Sequence, residues 1–432
     1  MTNLFAARAQ MGMSLGFHII FASIGIAMPA MMVIAEWLAR RTGDVQYREL
    51  ARRWAKGVAI LFAVGAVSGT VLSFELGLLW PRFMQYAGAI IGIPFSLEGF
   101  AFFTEAIFLG LYLYGWDRIP ARAHQAAGLI VAVSGAASAV FVVMVNAWMN
   151  APIGVTIANG QIVHIDPLAG MHSPAALAQV LHMLLAAYAS TGLAVAGVHA
   201  MMLLRRSSST FHRHAIAVAL FVGVPAAILQ PFAGDLEARV VARTQPVKLA
   251  ALEGQFATQH DAPLRIGGLP DVAARRTRYA IEIPGGLSLA AFGDRHATVQ
   301  GLTAFPRQNW PPVAPVHLAF QVMVGLGVAM ALVSIWCIGV AWRRREIASH
   351  RALLRALLIV SPFGFIATEA GWVVTEVGRQ PWIVQGLMRT ADAVTPMPGL
   401  TVPFTVFTLL YVGLAAVVII LIRTQVRDTG TA

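Results

Sequence analysis

The sequence predicts an all-α integral membrane protein with nine membrane-spanning helices. Of its 432 residues, 58% are hydrophobic and only 12% are charged. The mean hydropathy is +0.70, and apolar stretches long enough to cross a bilayer recur nine times. These values are typical of a polytopic membrane protein and exclude an ordinary soluble globular domain.

Each predicted span is an apolar stretch, and most exceed the roughly 20 residues that a helix needs to cross about 30 Å of hydrocarbon. The sixth is the shortest. The predicted spans are residues 12–36, 54–80, 95–115, 124–149, 178–204, 214–232, 316–341, 354–378 and 402–423.

The basic residues of the short connections predict the orientation of the chain, because they are few in the second (Arg82) and eighth (Arg379 and Arg389) connections and concentrated in the odd-numbered ones. Those of the first, third, fifth and seventh connections are Arg40, Arg41, Arg48, Arg52, Arg53, Lys56, Arg118, Arg122, Arg205, Arg206, Arg213, Arg343, Arg344, Arg345 and Arg351. The fourth connection, about 150–177, has no Lys or Arg. Odd-numbered connections are therefore expected in the cytoplasm and the N-terminus outside. The net charge of +11 is thus a topology signal, and no nucleic-acid partner is expected.

Two further features bound the fold and its chemistry. Residues 233–315 form one long polar connection on the predicted outer side, and long connections in compact proteins are usually functional or disordered. The single cysteine, Cys337, lies inside a span, which excludes an intrachain disulfide and a cysteine-based metal site.

Polar residues inside the spans fall at a common depth under this topology. The candidates are His18, Glu75, Glu98, Glu105, His182, Met323, Glu369 and Glu376. They come from six predicted helices, yet all lie in the outer half of the bilayer, which indicates one site near the outer face. Intramembrane ionisable groups are costly and usually functional. His199 lies near the inner end of its span and is interpreted as structural.

Residues 371–382, Gly-Trp-Val-Val-Thr-Glu-Val-Gly-Arg-Gln-Pro-Trp, close the eighth predicted span. Their spacing puts Trp372 and Glu376 on one helix face, with Arg379 about one turn further along. An axial ligand next to an anion-binding arginine is what a buried haem with propionates needs. The alternative interpretation is an interfacial aromatic belt with a salt bridge.

This stretch resembles the GWxxxExGRQPW signature of subunit I of the cytochrome bd quinol oxidases. The resemblance extends over most of the chain. The other matching segments are Gln10-Met11-Gly12, Gly16-Phe17-His18, Glu98 to Glu105, Gly115-Trp116-Asp117-Arg118, Asn146-Ala147-Trp148-Met149-Asn150, Leu181-His182 and Met323-Val324-Gly325-Leu326-Gly327.

The resemblance implies three haems and their ligands. His182 and Met323 match the pair that holds a low-spin haem b. His18 and Glu376 match the axial ligands of a high-spin haem b and of the oxygen-binding haem, and which ligand serves which haem stays open. The oxygen-binding group is haem d or a third haem b. Because the chain has 17 Met residues, the sequence alone would not select Met323.

Further roles follow from the same resemblance. Arg379 is expected to meet a propionate, and Trp372 is expected to belong to the cofactor-binding set. Two roles stay open for Glu75, one in the shell around a cofactor and one in ordinary packing. Glu98, Glu105 and Ser138 are expected to carry protons, the alternative for the two carboxylates being interhelical hydrogen bonds.

The start of the long connection resembles the quinol-binding loop of the family, in its short form. Gln245, Lys248 and Glu253 match that loop's functional positions. The alternative interpretation of this stretch is an exposed amphipathic helix with an ordinary charged face. One departure stands out: Gln321 occupies a position where better-known relatives carry Arg. We expect a lowered haem midpoint potential or an altered quinol preference, and membership of a cyanide-insensitive subgroup stays open.

The implied function is a terminal oxidase of the bacterial inner membrane. Quinol is oxidised at the periplasmic side, oxygen is reduced to water with cytoplasmic protons, and charge separates without pumping. The implied partners are a second subunit, small single-span subunits and membrane lipid. The rival from another class is a haem-free transporter that uses its buried Glu residues as a proton relay. A bc-type cytochrome b and a haem-copper oxidase are disfavoured by the few intramembrane His residues.

Overall fold

The computed structural model describes residues 2–158, 161–205, 209–343 and 346–430. Within these residues, nine helices are long and apolar enough to cross a membrane. Helices are the expected form for such segments, because lipid offers no hydrogen-bond partner to an open backbone. The predicted fold class is therefore confirmed, while the orientation of the N-terminus stays a prediction.

The helices and strands follow one another in a simple order. The helices are α1 Asn3–Thr42, α2 Val45–Leu79, α3 Pro81–Tyr114, α4 Ala121–Asn150, α5 Pro167–Met171, α6 Ala176–Arg205, α7 Thr210–Thr244, α8 Pro246–Leu252, α9 Gly286–Phe292, α10 Val313–Trp342, α11 Arg351–Val360, α12 Phe363–Gly378, α13 Thr390–Ala393 and α14 Thr401–Gly430. The strands are β1 Val155–Ala158, β2 Gln161–Ile165, β3 Leu264–Ile266, β4 Leu269–Asp271, β5 Arg276–Arg278, β6 Ile281–Ile283, β7 Trp382–Val384 and β8 Met388–Arg389.

Several helices differ from the predicted spans at their ends. The largest difference is at the start of α3, which begins at Pro81 instead of residue 95. At the end of another span, α7 continues through Pro225 and Pro231 to Thr244, past the predicted end at residue 232. Its last turns leave the apolar stretch but bury Val241 and Ala242 against the outer connection. Hydropathy alone cannot detect a helix that is stabilised by tertiary packing beyond the hydrocarbon. The eighth span is divided into α11 and α12 around residues 361–362.

Local signals explain where the second helix begins. Gly43 adopts a left-handed conformation with φ +74° and ends α1, which glycine does without steric cost. The Asp44 side chain then accepts a hydrogen bond from the Gln46 amide at 2.8 Å and caps α2. The connection between α1 and α2 is therefore only two residues long.

Polar contacts tie together the odd-numbered connections at one end of the bundle. Asp44 lies 3.6 Å from His214, and Arg52 pairs with Asp117 at 2.7 Å. These contacts join the first connection to the third and to the start of α7. Arg213 joins the fifth connection to the seventh through Glu346 at 2.6 Å. The end predicted to be cytoplasmic is thus a single polar layer.

The other end carries the longer connections, including the one after α7. Backbone hydrogen bonds join Gln385 to Met149 and Thr395 to Leu79, both at 2.9 Å. The long connection has a hydrophobic core of its own, and its strands pair as β3 with β6 and β4 with β5. Buried members of that core are Leu249, Leu252, Leu287, Val299 and Leu302, with Val316 of α10 and Val374 of α12. This connection is ordered and is fixed to two membrane helices.

Candidate functional site

Glu376 lies at the end of α12 with partners on both carboxylate oxygens. Asn146 of α4 donates to Oε1, and Nη2 of Arg379 donates to Oε2 at 2.6 Å. Arg379 is only 2% exposed. Within the described part of the chain, its Nε and Nη1 atoms have no hydrogen-bond partner. Two buried guanidinium donors are therefore left for an anion, because burying them without a partner is costly.

Lys248 of α8 connects the outer connection to the same region. Its ammonium donates to Asn150 Oδ1 at 3.1 Å and to the Thr375 carbonyl at 3.3 Å. The aliphatic stem packs against Gly378, where a β-carbon would stand 3.1 Å from Cε. Lys248 therefore lies within one residue of Glu376 along α12, although the two are distant in sequence.

Gln245 and Glu253 stand at opposite ends of α8, before and after its helical residues. Both side chains are buried. In the described residues, Oε1 of Gln245 and Oε2 of Glu253 accept no hydrogen bond. The three residues of the predicted quinol set thus share one short helix, and each presents a polar group inside the protein.

The environment shifts the ionisation of two members of this set. Burial raises the pKa of Glu253 to about 7, and the charge of Arg265 opposes the shift. Burial also lowers the pKa of Lys248, and the neighbouring Arg379 guanidinium lowers it further, while Glu237 and Glu376 oppose these effects. The pKa values of both groups are thereby moved toward neutral pH, where the groups can exchange protons.

His182 and Met323 each face a glycine on a neighbouring helix. A β-carbon at Gly234 of α7 would lie 3.5 Å from Cε1 of His182, and one at Gly371 of α12 would lie 3.1 Å from Sδ of Met323. The Gln230 amide nitrogen lies 3.2 Å from Nε2 of His182. Both candidate ligands are half-buried.

His18 is arranged in the same way. Its Nδ1 atom lies 2.9 Å from Ser68 Oγ, and a β-carbon at Gly69 would stand 3.1 Å from Cε1. Glu369 of α12 faces α1, where a β-carbon at Gly16 would stand 3.1 Å from Oε2.

Glu75 is buried between α1 and α2. Its Oε1 atom accepts hydrogen bonds from Gln10 at 3.0 Å and from Ser14 at 2.9 Å. Elsewhere in the described chain, Oε2 of Glu75 finds no partner. The contacts are compatible with both interpretations of this residue, packing and cofactor shell.

Glu98, Glu105 and Ser138 lie along the contact of α3 with α4. Ser138 donates to Glu98 Oε1 at 3.2 Å. Glu105 is buried, and a β-carbon at Gly135 would lie 3.2 Å from its Oε1. The two carboxylates are two helical turns apart on one face, about 10 Å along the axis. No described contact joins this pair to Glu376.

The donor set fits haem. One histidine and one methionine, here on α6 and α10, would suit an electron-transferring haem, and a single His or Glu would suit a haem that binds oxygen. The glycines beside the candidate ligands let these side chains approach the neighbouring helices closely. The unsatisfied donors of Arg379 suit a propionate. Trp372 lies beside Gly371, one turn before Glu376, and is half-buried.

Sequence reasoning missed several supporting residues. Asn146, Asn150, Gln10, Ser14 and Gln230 all bond to candidate site residues. A signal was present, because Gln10/Ser14 and Asn146/Asn150 are polar pairs four residues apart within apolar helices. Such spacing puts both members on one helix face.

Comparison with known proteins agrees with this arrangement. The sequence model of the family described as "Cytochrome bd terminal oxidase subunit I" matches residues 6–429. The chain belongs to the cytochrome bd terminal oxidase subunit I family. It is 38% identical to the "Putative cytochrome bd menaquinol oxidase subunit I" of Bacillus subtilis (strain 168), over 97% of this chain and 95% of that protein.

Other members of the family are also similar over nearly their whole length. The "Cytochrome bd ubiquinol oxidase subunit 1" of the same organism is 30% identical, covering 99% of this chain and 94% of that protein. A solved bd oxidase from Geobacillus thermodenitrificans superposes with a TM-score of 0.92 at 38% identity, covering 99% of this chain and 98% of that one. The expected family, the enzyme class of quinol oxidase and the multi-pass membrane character are thus confirmed.

Proposed function

We propose that this chain is the haem-binding, quinol-oxidising subunit of a terminal oxidase that reduces oxygen to water. His182 and Met323 would hold a low-spin haem b. His18 and Glu376 would be the axial ligands of a high-spin haem b and of the oxygen-site haem, which is haem d or a third haem b. When bound, these haems supply electron transfer and oxygen reduction.

The observation that carries the proposal is the position of Lys248. Its buried ammonium contacts the backbone of Thr375, the residue before Glu376, and also Asn150, one turn from the Asn146 that bonds Glu376. The proposed quinol segment and the proposed ligand helix therefore meet at one place. Lys248 and Gln245 would orient the quinol oxygens, and Glu253 would accept a quinol proton.

The remaining residues would serve proton supply and partners. Glu98, Ser138 and Glu105 would pass protons from the cytoplasmic side, so charge would separate across the bacterial inner membrane without pumping. The most apolar part of α14 is only 11% buried within this chain. Such an exposed apolar helix supports coverage by lipid, by the second subunit or by small single-span subunits.

The test uses the purified complex and membrane vesicles. A pyridine-haemochrome spectrum is expected to report three haems per complex and to distinguish haem d from haem b. In vesicles of known orientation, quinol oxidation is expected to release protons on the periplasmic side. A haem-free preparation would favour the transporter, and proton release on the cytoplasmic side would refute the proposed topology.

The pH dependence of quinol oxidation is the first prediction. Glu253, with its pKa at about 7, accepts a proton only when ionised, so activity should rise through that pH. Burial lowers the pKa of Lys248, so its ammonium should lose a proton at a pH below about 10.4, the ordinary pKa of lysine. Activity should therefore decrease again on the alkaline side, before that pH is reached. Oxygen consumption measured against pH should lose its acid limb in Glu253→Gln and its alkaline limb in Lys248→Gln. An unchanged profile in both variants would contradict these roles.

The second prediction concerns Gln321, two residues before Met323. Its Oε1 accepts from the Gly267 amide at 2.8 Å, and its Nε2 donates to the Arg265 carbonyl at 3.0 Å. Gln321→Arg adds a charge that favours the reduced haem. A unit charge about 10 Å away at an effective dielectric of about 20 should raise the midpoint potential by some tens of millivolts. The matched charge control is Gln308→Arg in the exposed connection, and identical midpoints in Gln321→Arg and wild type would refute the effect.

A further inference from the structure

His317 is a buried histidine whose two ring nitrogens both face carbonyl oxygens. Nδ1 lies 2.7 Å from the Leu252 carbonyl, and Nε2 lies 3.1 Å from the Gly267 carbonyl. The residue is 0% exposed. A carbonyl can only accept, so it is the ring nitrogen that donates wherever a hydrogen bond forms. The His317 ring therefore stands between the Leu252 and Gly267 carbonyls and links the two segments that carry them.

The partners of His317 lie at the end of the proposed quinol segment and in the turn between β3 and β4. Leu252 is the last residue of α8, and Glu253 follows directly. A β-carbon at Gly254 would stand 3.4 Å from Nδ1 of His317. Glu253 is thus placed between two residues that adjoin the His317 ring. Its Oε2 atom is buried and has no hydrogen-bond partner in the described residues.

Gln321 extends the same contact by one turn of α10. His317 and Gln321 are four residues apart on one helix face. Together they bond to both backbone groups of Gly267, whose φ is +69°. Gln321 also holds the Arg265 carbonyl. The turn between β3 and β4 is therefore clamped to the helix that carries Met323.

We propose that His317 is a positioning residue of the quinol site. Its ring holds the end of α8 and the Gly267 turn, and with Gln321 it fixes Glu253 relative to the helix that carries Met323. The inference rests on the proposed function, because it assigns Glu253 to quinol binding. The other charged groups near this clamp are Arg265 on β3 and its partner Glu282.

The positioning role is tested by steady-state kinetics with short-chain ubiquinol and menaquinol analogues. In His317→Gln the amide can donate to only one of the two carbonyls in this geometry, so KM should rise about tenfold while kcat changes less than about twofold. Gln321→Leu, which leaves His317 in place, should also raise KM. The matched control is His260→Gln, a histidine of the same connection whose hydrogen bonds lie at the exposed surface.

The outcomes separate the inference from the function on which it rests. An unchanged KM in both His317→Gln and Gln321→Leu would overturn the positioning role, with the wild type still oxidising quinol. If the wild-type complex did not oxidise quinol, the proposed function would fail instead. Haem content, read from the absorption spectrum of each variant, should equal that of the wild type. A loss of haem in His317→Gln and Gln321→Leu alike would refute a role confined to quinol.

Discussion

Met323→Leu is expected to remove a proposed ligand of the low-spin haem, and so to change the absorption spectrum of the complex and to lower the midpoint potential of that haem by on the order of 100 mV. Thioether ligation raises a haem potential, and axial ligands set potentials over a range of about 0.8 V. Leucine has a similar volume but no donor atom, so the fold should be kept. Quinol oxidase activity should fall with the potential. The measurements are the absorption spectrum, a redox titration and oxygen consumption.

The control for Met323 is provided by its own helix. Met330 lies two turns further along α10 and is buried in the main hydrophobic cluster. Met330→Leu should therefore leave the spectrum and the midpoint unchanged, and any loss of stability should stay below about 1.5 kcal/mol. A wild-type spectrum in Met323→Leu would show that another residue is the ligand.

Glu105→Gln is expected to reduce oxidase turnover by roughly a hundredfold, within the usual range for removing a proton-transferring group. Glutamine keeps the shape and hydrogen-bonding capacity of the side chain beside Gly135, but it cannot release a proton. The haem spectrum and the KM for quinol should not change, because Glu105 contacts neither proposed site. Turnover should be measured with saturating quinol, so that the rate reports proton supply.

A matched carboxylate tests whether any glutamate substitution has this effect. Glu49 of α2 is exposed and pairs with Arg53 at 2.6 Å. Exposed ion pairs contribute little to stability, so Glu49→Gln should leave turnover within about twofold of the wild type. Full turnover in Glu105→Gln would assign this residue to a structural hydrogen bond.

The nine spans could be predicted because the bilayer imposes length and composition on each of them. Helix ends could not be predicted in the same way. The last turns of α7 are stabilised by Val241 and Ala242 in the core of the outer connection, a contact with residues far along the chain. The break between α11 and α12 was not predicted either, although Pro362 follows Ser361 there and disfavours a continuous helix.

The candidate site was predictable in part. A conspicuous motif supplied Glu376 and Arg379, and the structure places them 2.6 Å apart. The other ligand assignments depended on a resemblance, since a methionine in an apolar helix is chemically indistinct from packing. From the sequence, Gln321 was notable only because it lacks the positive charge of the arginine that better-known relatives carry at this position. Its bonds to Gly267 and Arg265 depend on a turn whose position only the folded connection defines.

The proposed ligands also bear on how such a protein is made. His18 belongs to α1 and His182 to α6, whereas Met323 and Glu376 belong to α10 and α12. Ribosomes synthesise the chain from its N-terminus, and early segments fold first. A nascent chain that has inserted six spans thus has His18 and His182 but still lacks Met323 and Glu376. Loading of the haems that would use Met323 and Glu376 must then be a late step of biogenesis, after most of the polypeptide has entered the membrane.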